Sequence, residues 1–217
     1  QISSIHQQIH AYADKISKLL LPKTQAYYEI FIDDEKIYER SVEADPLYED
    51  RYLPRKFKIA IAIPPSNDVD VFANDIGLIA IIKDNELKGF NIAVGGSLSA
   101  THGNLQTYPR LGTIIGYTDT EEKTLKAVYE VLTIQRDFGN RSDRKLSRLK
   151  YTVDKMGVEK FKNELEKRIG FSLEPAQEFE FTERSDRYGW QKNHEGKWFY
   201  TLFVEHGVIK PHQKAFL

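Results

Sequence analysis

The feature that most limits how this chain can fold is a pair of β-rich runs on either side of a turn sequence. The runs span residues 76–82 and 87–94, and the residues between them are Lys83-Asp84-Asn85-Glu86. Asp and Asn tolerate the left-handed backbone conformation that a tight hairpin turn requires. The spacing therefore predicts a hairpin and an antiparallel sheet that contains it.

A separate strand is expected before this hairpin. Between Lys56 and Ile63 the large apolar residues stand at alternate positions, and Pro64-Pro65 ends the run. This alternation is typical of a strand with one buried face, and proline stops a strand because it has no backbone N–H to donate. A further strand is predicted over residues 198–204, with a return strand near Val208.

Apolar residues recur at helical spacing in four segments of the chain. Two of these segments are residues 3–21, where Pro22 stops the pattern, and residues 121–136. Residues 142–156 and 158–169 are predicted to form two more helices, separated by a single glycine. The combination predicts an α+β fold in which a mainly antiparallel sheet packs against helices.

The stretch between the first helix and the first strand is rich in acids. A short β-rich run at residues 27–32 overlaps residues 29–50, which hold nine acids, and we interpret most of this stretch as a solvated loop. No linker or repeat divides the chain, so residues 1–217 are predicted to form a single domain. Because the chain opens on Gln1 rather than Met, we expect an internal piece of a longer protein.

The composition excludes several kinds of chemistry. The chain contains no cysteine, so it cannot form a disulfide, a thiolate nucleophile or a cysteine-bound metal cluster of its own. Its formal charge is -1 and its pI is about 6.7, whereas nucleic-acid-binding modules usually carry a net basic surface. No apolar run approaches the roughly 20 residues needed to cross a bilayer, so we expect a cytoplasmic protein without membrane contact.

Two motifs invite a functional interpretation but lack part of the required pattern. His6 and His10 have the spacing of a zinc-binding pair, but Gln7 stands where a zinc protease has its general-base glutamate, so we expect no metal there. The nearest approach to a glycine-rich loop is Gly95-Gly96. Glycines just past a strand either form a sharp turn or let the backbone approach a ligand closely, and the residues leave both possibilities open.

The first candidate binding site is the cationic segment Arg55-Lys56-Phe57-Lys58. Alternation along a strand places Lys56 and Lys58 on one face while Phe57 points into the core. If that face meets solvent, the two lysines only add to solubility. If it lines a cavity, two adjacent ammonium groups form an anion site that can also deliver protons.

The second candidate is the basic segment 135–150, which holds six cations and two acids. Ser142 is predicted to cap the helix that follows, which would place Lys145 and Arg148 about one turn apart on one side. Such a face suits phosphate, RNA or a carboxylate-bearing cofactor, and it is also typical of a plain solvated helix.

A series of short motifs extends this pattern along nearly the whole chain. In chain order it includes Leu53-Pro54-Arg55-Lys56-Phe57-Lys58, Ile63-Pro64-Pro65, Asn67-Asp68-Val69-Asp70, Gly89-Phe90-Asn91, Val94-Gly95-Gly96, His102-Gly103-Asn104, Gln135-Arg136-Asp137, Gly139-Asn140-Arg141, Asp143-Arg144-Lys145 and Phe179-Glu180-Phe181-Thr182. The series resembles, in the same order, the haemoprotein (β) subunit of assimilatory sulfite reductase in the nitrite/sulfite reductase family.

The resemblance implies an enzyme of sulfate assimilation and cysteine biosynthesis that reduces sulfite to hydrogen sulfide with six electrons. Its cofactors would be sirohaem and a 4Fe-4S cluster joined by a cysteine thiolate. The cluster cysteines would lie beyond Leu217 and a pair of active-site arginines before Gln1, so the chain would be a single sirohaem-facing domain that is inactive alone. An NADPH-fed flavoprotein (α) subunit is the favoured electron donor, with ferredoxin as the alternative.

The resemblance also assigns roles to lysines and arginines of this chain. In the family the Lys-Phe-Lys strand places both amines over the distal face of sirohaem, so Lys56 and Lys58 are expected to bind sulfite and deliver protons. Arg55 and Arg148 are expected to meet the acidic side chains of the cofactor, with Arg148 standing where a family member has lysine. Sirohaem bears eight carboxylates, which explains why a chain of near-zero net charge concentrates its cations in two places.

Three further residues are weaker candidates for the site. Gly95, Gly96 and Asn104 are expected to line the same pocket. A sirohaem nitrite reductase is the enzymatic alternative, since nitrite is also a small anion. The non-catalytic alternative is a module that binds anions or nucleic acid through the two basic clusters, and the net charge argues against it.

Overall fold

The computed structural model describes residues 3–23, 29–32, 35–39, 45–49 and 51–216. Its helices and strands, in chain order, are α1 (Ser4–Leu20), β1 (Glu29–Ile32), β2 (Glu35–Glu39), β3 (Ile59–Ala62), β4 (Ile76–Lys83), β5 (Glu86–Val94), β6 (Thr113–Thr118), α2 (Glu121–Phe138), α3 (Leu149–Met156), α4 (Val158–Ile169), β7 (Gly189–Lys192) and β8 (Trp198–Thr201). Within these residues, no helix is long and apolar enough to cross a membrane.

The central sheet has four strands in the order β3-β4-β5-β6. Strand β3 runs parallel to β4, and the β4–β5 and β5–β6 pairs are antiparallel. Asp84 and Asn85 connect β4 to β5 with φ angles of 55° and 58°, which is the conformation of a two-residue hairpin turn. The predicted hairpin and the α+β fold with a mainly antiparallel sheet are therefore confirmed.

Different parts of the chain cover the two faces of this sheet. One face packs against the four helices, and its buried residues include Ile76, Leu78, Phe90, Ile92, Val128, Leu149 and Phe161. On the other face, Ile79 packs with Ala62 and Val71, and Phe179 and Phe181 cover them. Because both faces are buried, β4 is a continuous apolar run rather than an alternating one.

The predicted helix over residues 142–156 is wrong in its first half. Residues Arg144–Leu146 form a short 3-10 helix, and α3 begins only at Leu149. Asp143 caps the 3-10 helix, because its carboxylate accepts a hydrogen bond from the Lys145 amide. The N-cap of α3 is Arg148, not Ser142. Asn140 Oδ1 accepts hydrogen bonds from the backbone amides of Ser142 and Asp143. Such local side-chain hydrogen bonds compete with a regular helix.

Three further segments differ from the prediction or extend it. The acidic stretch contains the β1–β2 hairpin rather than loop alone, while residues 27–28, 33–34, 40–44 and 50 lie outside the described part of the chain. Strand β7, which pairs with β8, was not predicted. The return strand expected near Val208 is absent from the described residues, and a 3-10 helix at Glu205–Gly207 precedes that position.

Candidate anion-binding cavity

A cavity of about 730 Å³ lies where the segment before β3 meets the loop after β5 and the start of α3. Among the described residues that line it, one is acidic, Asp143, and six are cationic: Arg55, Lys56, Lys58, Arg144, Lys145 and Arg148. The two basic clusters, far apart in the sequence, therefore face one concave site. Such a concentration of positive charge raises the local concentration of anions.

Lys56 and Lys58 of the first basic cluster reach the cavity because the alternation of side-chain direction in β3 continues into the residues before that strand. Lys56 and Lys58 are exposed to the cavity, whereas Phe57 packs on the opposite side in an apolar cluster with Leu53 and Leu132. The backbone N–H of Lys58 donates a 2.8 Å hydrogen bond to the Asp75 carboxylate. The lysines therefore line a cavity rather than open surface, and their chemical roles stay a prediction.

Arg148, at the start of α3, belongs to a buried ion pair. Its Nη2 donates to Asp75 Oδ2 over 2.8 Å and its Nε donates to Oδ1 over 3.1 Å, so the contact is bidentate. The side chains are 8% and 1% exposed. Removing one member of such a pair typically costs about 3–5 kcal/mol, because the other charge stays buried without a partner.

The loop of residues 97–101, which follows β5, forms another part of the cavity wall. Ser97 exchanges two backbone hydrogen bonds with Arg110, of 2.7 and 2.9 Å, and the Thr101 amide donates to Thr107 Oγ1 over 2.7 Å. The hydroxyl of Ser97 also bonds to that of Ser99 over 2.8 Å. The loop presents hydroxyl groups next to the cationic wall.

Lys150, in α3, holds this loop through hydrogen bonds to its carbonyls, a role that no motif in the sequence indicates. The residue is fully buried, and its ammonium donates hydrogen bonds to the carbonyls of Ser99 at 2.6 Å, Ser97 at 3.3 Å and Tyr108. It also lies 4.9 Å from the centre of the Tyr151 ring. Burial lowers the pKa of Lys150, and the nearby Arg148 charge lowers it further.

Gly95, Gly96 and Asn104 do not line the cavity. The amides of Gly95 and Gly96 donate to the carbonyls of Asp75 and Asn74, and a Cβ atom on Gly96 would lie 2.0 Å from the Phe72 carbonyl oxygen. Close approach of another backbone segment therefore explains Gly96, whereas Gly95 has a φ of 75°, a conformation that favours glycine. Asn104 Oδ1 accepts a hydrogen bond from the Gln106 amide in a nearby turn. Contact of these three residues with a cofactor stays a prediction.

Of the two histidines on α1, His6 makes a local contact. His6 Nδ1 shares a 2.8 Å hydrogen bond with Ser3 Oγ, and burial lowers the pKa of His6. Among the residues that the structure describes, no group of three or more His, Cys, Asp and Glu is arranged to hold a metal ion.

Residues 11–173 match the family model described as the nitrite and sulphite reductase 4Fe-4S domain. The chain belongs to this family. The match confirms the resemblance inferred from the motifs, although the chain has no cysteine with which to bind a cluster itself.

Curated relatives and a solved structure agree with this membership. The chain is 60% identical over 207 residues to the sulfite reductase [NADPH] hemoprotein beta-component of Leptospira biflexa, which covers 95% of this chain and 37% of that protein. The protein of the same name from Staphylococcus haemolyticus is 51% identical over 208 residues, 96% of this chain and 36% of that one. The chain thus spans little more than a third of these relatives.

The solved structure is that of the Mycobacterium tuberculosis NirA protein. It has a TM-score of 0.61 and 22% identity, and the match covers 87% of this chain and 29% of that one. At this identity the likeness shows the shared fold.

Proposed function

We propose that this chain forms the sirohaem-facing domain, residues 1–217, of a sulfite reductase haemoprotein subunit. The observation that carries the proposal is the cavity in which, among the residues described, six cations and one acid come together from two distant segments. Within the nitrite and sulphite reductase family, such a cavity suits a polycarboxylate macrocycle and a small oxyanion. The relatives named sulfite reductase support sulfite as the substrate.

The chain's residues fit one of the two expected cofactors. The cavity cations suit the carboxylates of sirohaem, whereas the absence of cysteine means that a 4Fe-4S cluster would have to be bound elsewhere in the subunit. When bound, sirohaem would supply the iron that holds sulfite and passes it the six electrons of its reduction to hydrogen sulfide.

Lys56 and Lys58 are proposed to attract sulfite and supply protons as its oxygen atoms leave as water. Two opposite unit charges 4 Å apart attract by about 4 kcal/mol at the effective dielectric constant near a protein surface. A positioned general acid typically contributes a factor of about 10² to 10⁴ in rate. Both effects require the amines to face the substrate, and the two side chains do face the cavity.

Arg55 and Arg148 are proposed to hold carboxylates of the macrocycle. Within the described residues, the ion pair of Arg148 with Asp75 uses Nε and Nη2, which leaves Nη1 for a ligand in the cavity. Gly95, Gly96 and Asn104 lie just behind or beside the hydroxyl-bearing loop, so a contribution from them would come through the position of that loop.

The remaining parts of the proposal concern the intact protein. The relatives' name includes NADPH and a beta-component, which supports a flavoprotein α subunit as electron donor rather than ferredoxin. We also propose a cytoplasmic location and a role in cysteine biosynthesis. Nitrite reduction is the second candidate, because the family description names nitrite as well as sulphite.

The test uses the full-length subunit loaded with its cofactors. Lys56→Ala and Lys58→Met are expected to lower sulfite turnover by about 100-fold or more while the sirohaem absorbance persists. Lys155→Ala is the matched control, because Lys155 is an exposed lysine of α3 outside the cavity. Near-normal turnover in both cavity variants would refute the proposed roles, and faster turnover of nitrite than of sulfite would favour the second candidate.

A further inference from the structure

Asp75 lies behind the cationic wall of the cavity, immediately before β4. Its side chain is 1% exposed. Oδ2 accepts hydrogen bonds from the Lys58 backbone amide and from Arg148 Nη2, both over 2.8 Å, and Oδ1 accepts one from Arg148 Nε over 3.1 Å. A single buried carboxylate therefore holds one member of each basic cluster.

The backbone of Asp75 and its neighbour fixes the position of this carboxylate. The Ile76 amide donates to the Lys58 carbonyl over 3.1 Å, and the Asp75 carbonyl accepts a hydrogen bond from the Gly95 amide over 2.9 Å. Asp75 thus stands where the start of β4 meets the residues before β3 and after β5. Groups fixed to such rigid elements hold a binding geometry better than groups on a free loop.

We propose that Asp75 is a positioning residue for the anion site, acting through the Lys58 backbone and the Arg148 guanidinium. This inference rests on the proposed function of the cavity. Asp75 itself is too deeply buried to touch a ligand, and its negative charge opposes anion binding. Its contribution to binding must therefore come from the placement of the two cations.

The direction in which the dissociation constant for the anion changes distinguishes a positioning role from a purely electrostatic one. If only charge mattered, removing a carboxylate beside a cationic cavity would tighten anion binding. If Asp75 positions Lys58 and Arg148, removing it weakens binding, because small displacements of interacting groups carry large penalties. The two explanations predict changes of the dissociation constant in opposite directions.

Two substitutions divide the contacts of the carboxylate. Asp75→Ala removes all three hydrogen bonds. Asp75→Asn keeps one acceptor oxygen, which can still receive the Lys58 amide, but loses the ionic hold on Arg148. We expect the dissociation constant for sulfite to rise about tenfold in Asp75→Ala and by a smaller factor in Asp75→Asn.

The measurement is a sulfite titration of the full-length, cofactor-loaded subunit, followed by haem absorbance, with sirohaem content read from the same spectra. Asp137→Ala is the matched control. Asp137 also accepts hydrogen bonds from two arginines, Arg136 and Arg168, each over 2.8 Å, but it does not line or adjoin the cavity wall. This control is expected to keep the wild-type dissociation constant and sirohaem content.

An unchanged or lower dissociation constant in Asp75→Ala would overturn the positioning role, as would an equal rise in Asp137→Ala. If Asp75→Ala cannot be purified, Asp75→Asn decides, and an unchanged or lower constant in it overturns the proposal. A wild-type subunit that shows no haem absorbance or no response to sulfite would instead overturn the proposed function, and the positioning role with it.

Discussion

Replacing Lys150 by methionine should release the hydroxyl-bearing wall of the cavity without emptying the space beneath it. Methionine approximates the length of the lysine chain but donates no hydrogen bond. The substitution therefore leaves the carbonyls of Ser97, Ser99 and Tyr108 without the ammonium that they share. Packing below the loop is largely preserved, so the loss of these bonds dominates the effect.

The size of the effect follows from the contacts. A hydrogen bond to a charged group contributes about 1.5–3 kcal/mol, and a buried carbonyl without a partner costs about 1–3 kcal/mol. The bond to Ser97 is long at 3.3 Å and adds little. Relief from burying an ammonium offsets part of the loss. We expect the free energy of local opening of the loop to fall by about 3 kcal/mol, which corresponds to a factor of about 100.

Hydrogen exchange of the full-length protein measures this opening directly. Exchange of the Ser97, Thr101 and Arg110 amides, which are hydrogen-bonded within or across the loop, should accelerate about 100-fold. Amides in the middle of β4 should exchange as before. Lys155→Met, a substitution of an exposed lysine on the same helix, should change neither set. Unchanged exchange in the loop of Lys150→Met would refute the supporting role of this lysine.

Two other predictions test the surroundings of the cavity. Gly96→Ala should destabilise the full-length protein by about 3 kcal/mol in chemical denaturation, because the new Cβ meets the Phe72 carbonyl, whereas Gly103→Ala, with open space around it, should cost about 1 kcal/mol; equal costs would refute the clash. Burial and the hydrogen bond to Asp154 raise the pKa of Tyr108 to about 12. The stability that the protonated Tyr108 hydroxyl contributes is therefore full below pH 10 and is lost as the pH rises through about 12. Over that range the free energy of unfolding should fall less in Tyr108→Phe than in wild type. Equal falls in the two proteins would contradict this prediction.

Local signals predicted the central hairpin and the segment that carries Lys56 and Lys58. The turn at Asp84 and Asn85 needs two residues that tolerate positive φ, and the sequence supplies them at the required spacing. Phe57 stands between two lysines, and this alternation distinguishes the buried face of the segment from its polar face within a few residues. Both signals depend on neighbours in the sequence, so the sequence alone is enough to identify them.

The prediction failed where local side-chain hydrogen bonds compete with a regular helix. The segment after α2 has the composition of a helix, but Asn140 and Asp143 bond to nearby amides and delay the helix until Leu149. Side chains of this type were visible in the sequence. Which of the competing local structures is more stable depends on the packing of α3 against the sheet, and that packing was not visible.

By itself the sequence determined the family, the α+β class and the cations available for anion binding, because motif order, periodicity and charge are properties of the chain. Only the tertiary structure decided that the cations of the two clusters share a cavity, that Asp75 holds Arg148 across a separation of 73 residues, and that Lys150 is buried under carbonyls rather than exposed. These contacts join residues far apart in the chain. The packing of strands and helices decides which residues become partners. A short segment of sequence contains no information about that packing.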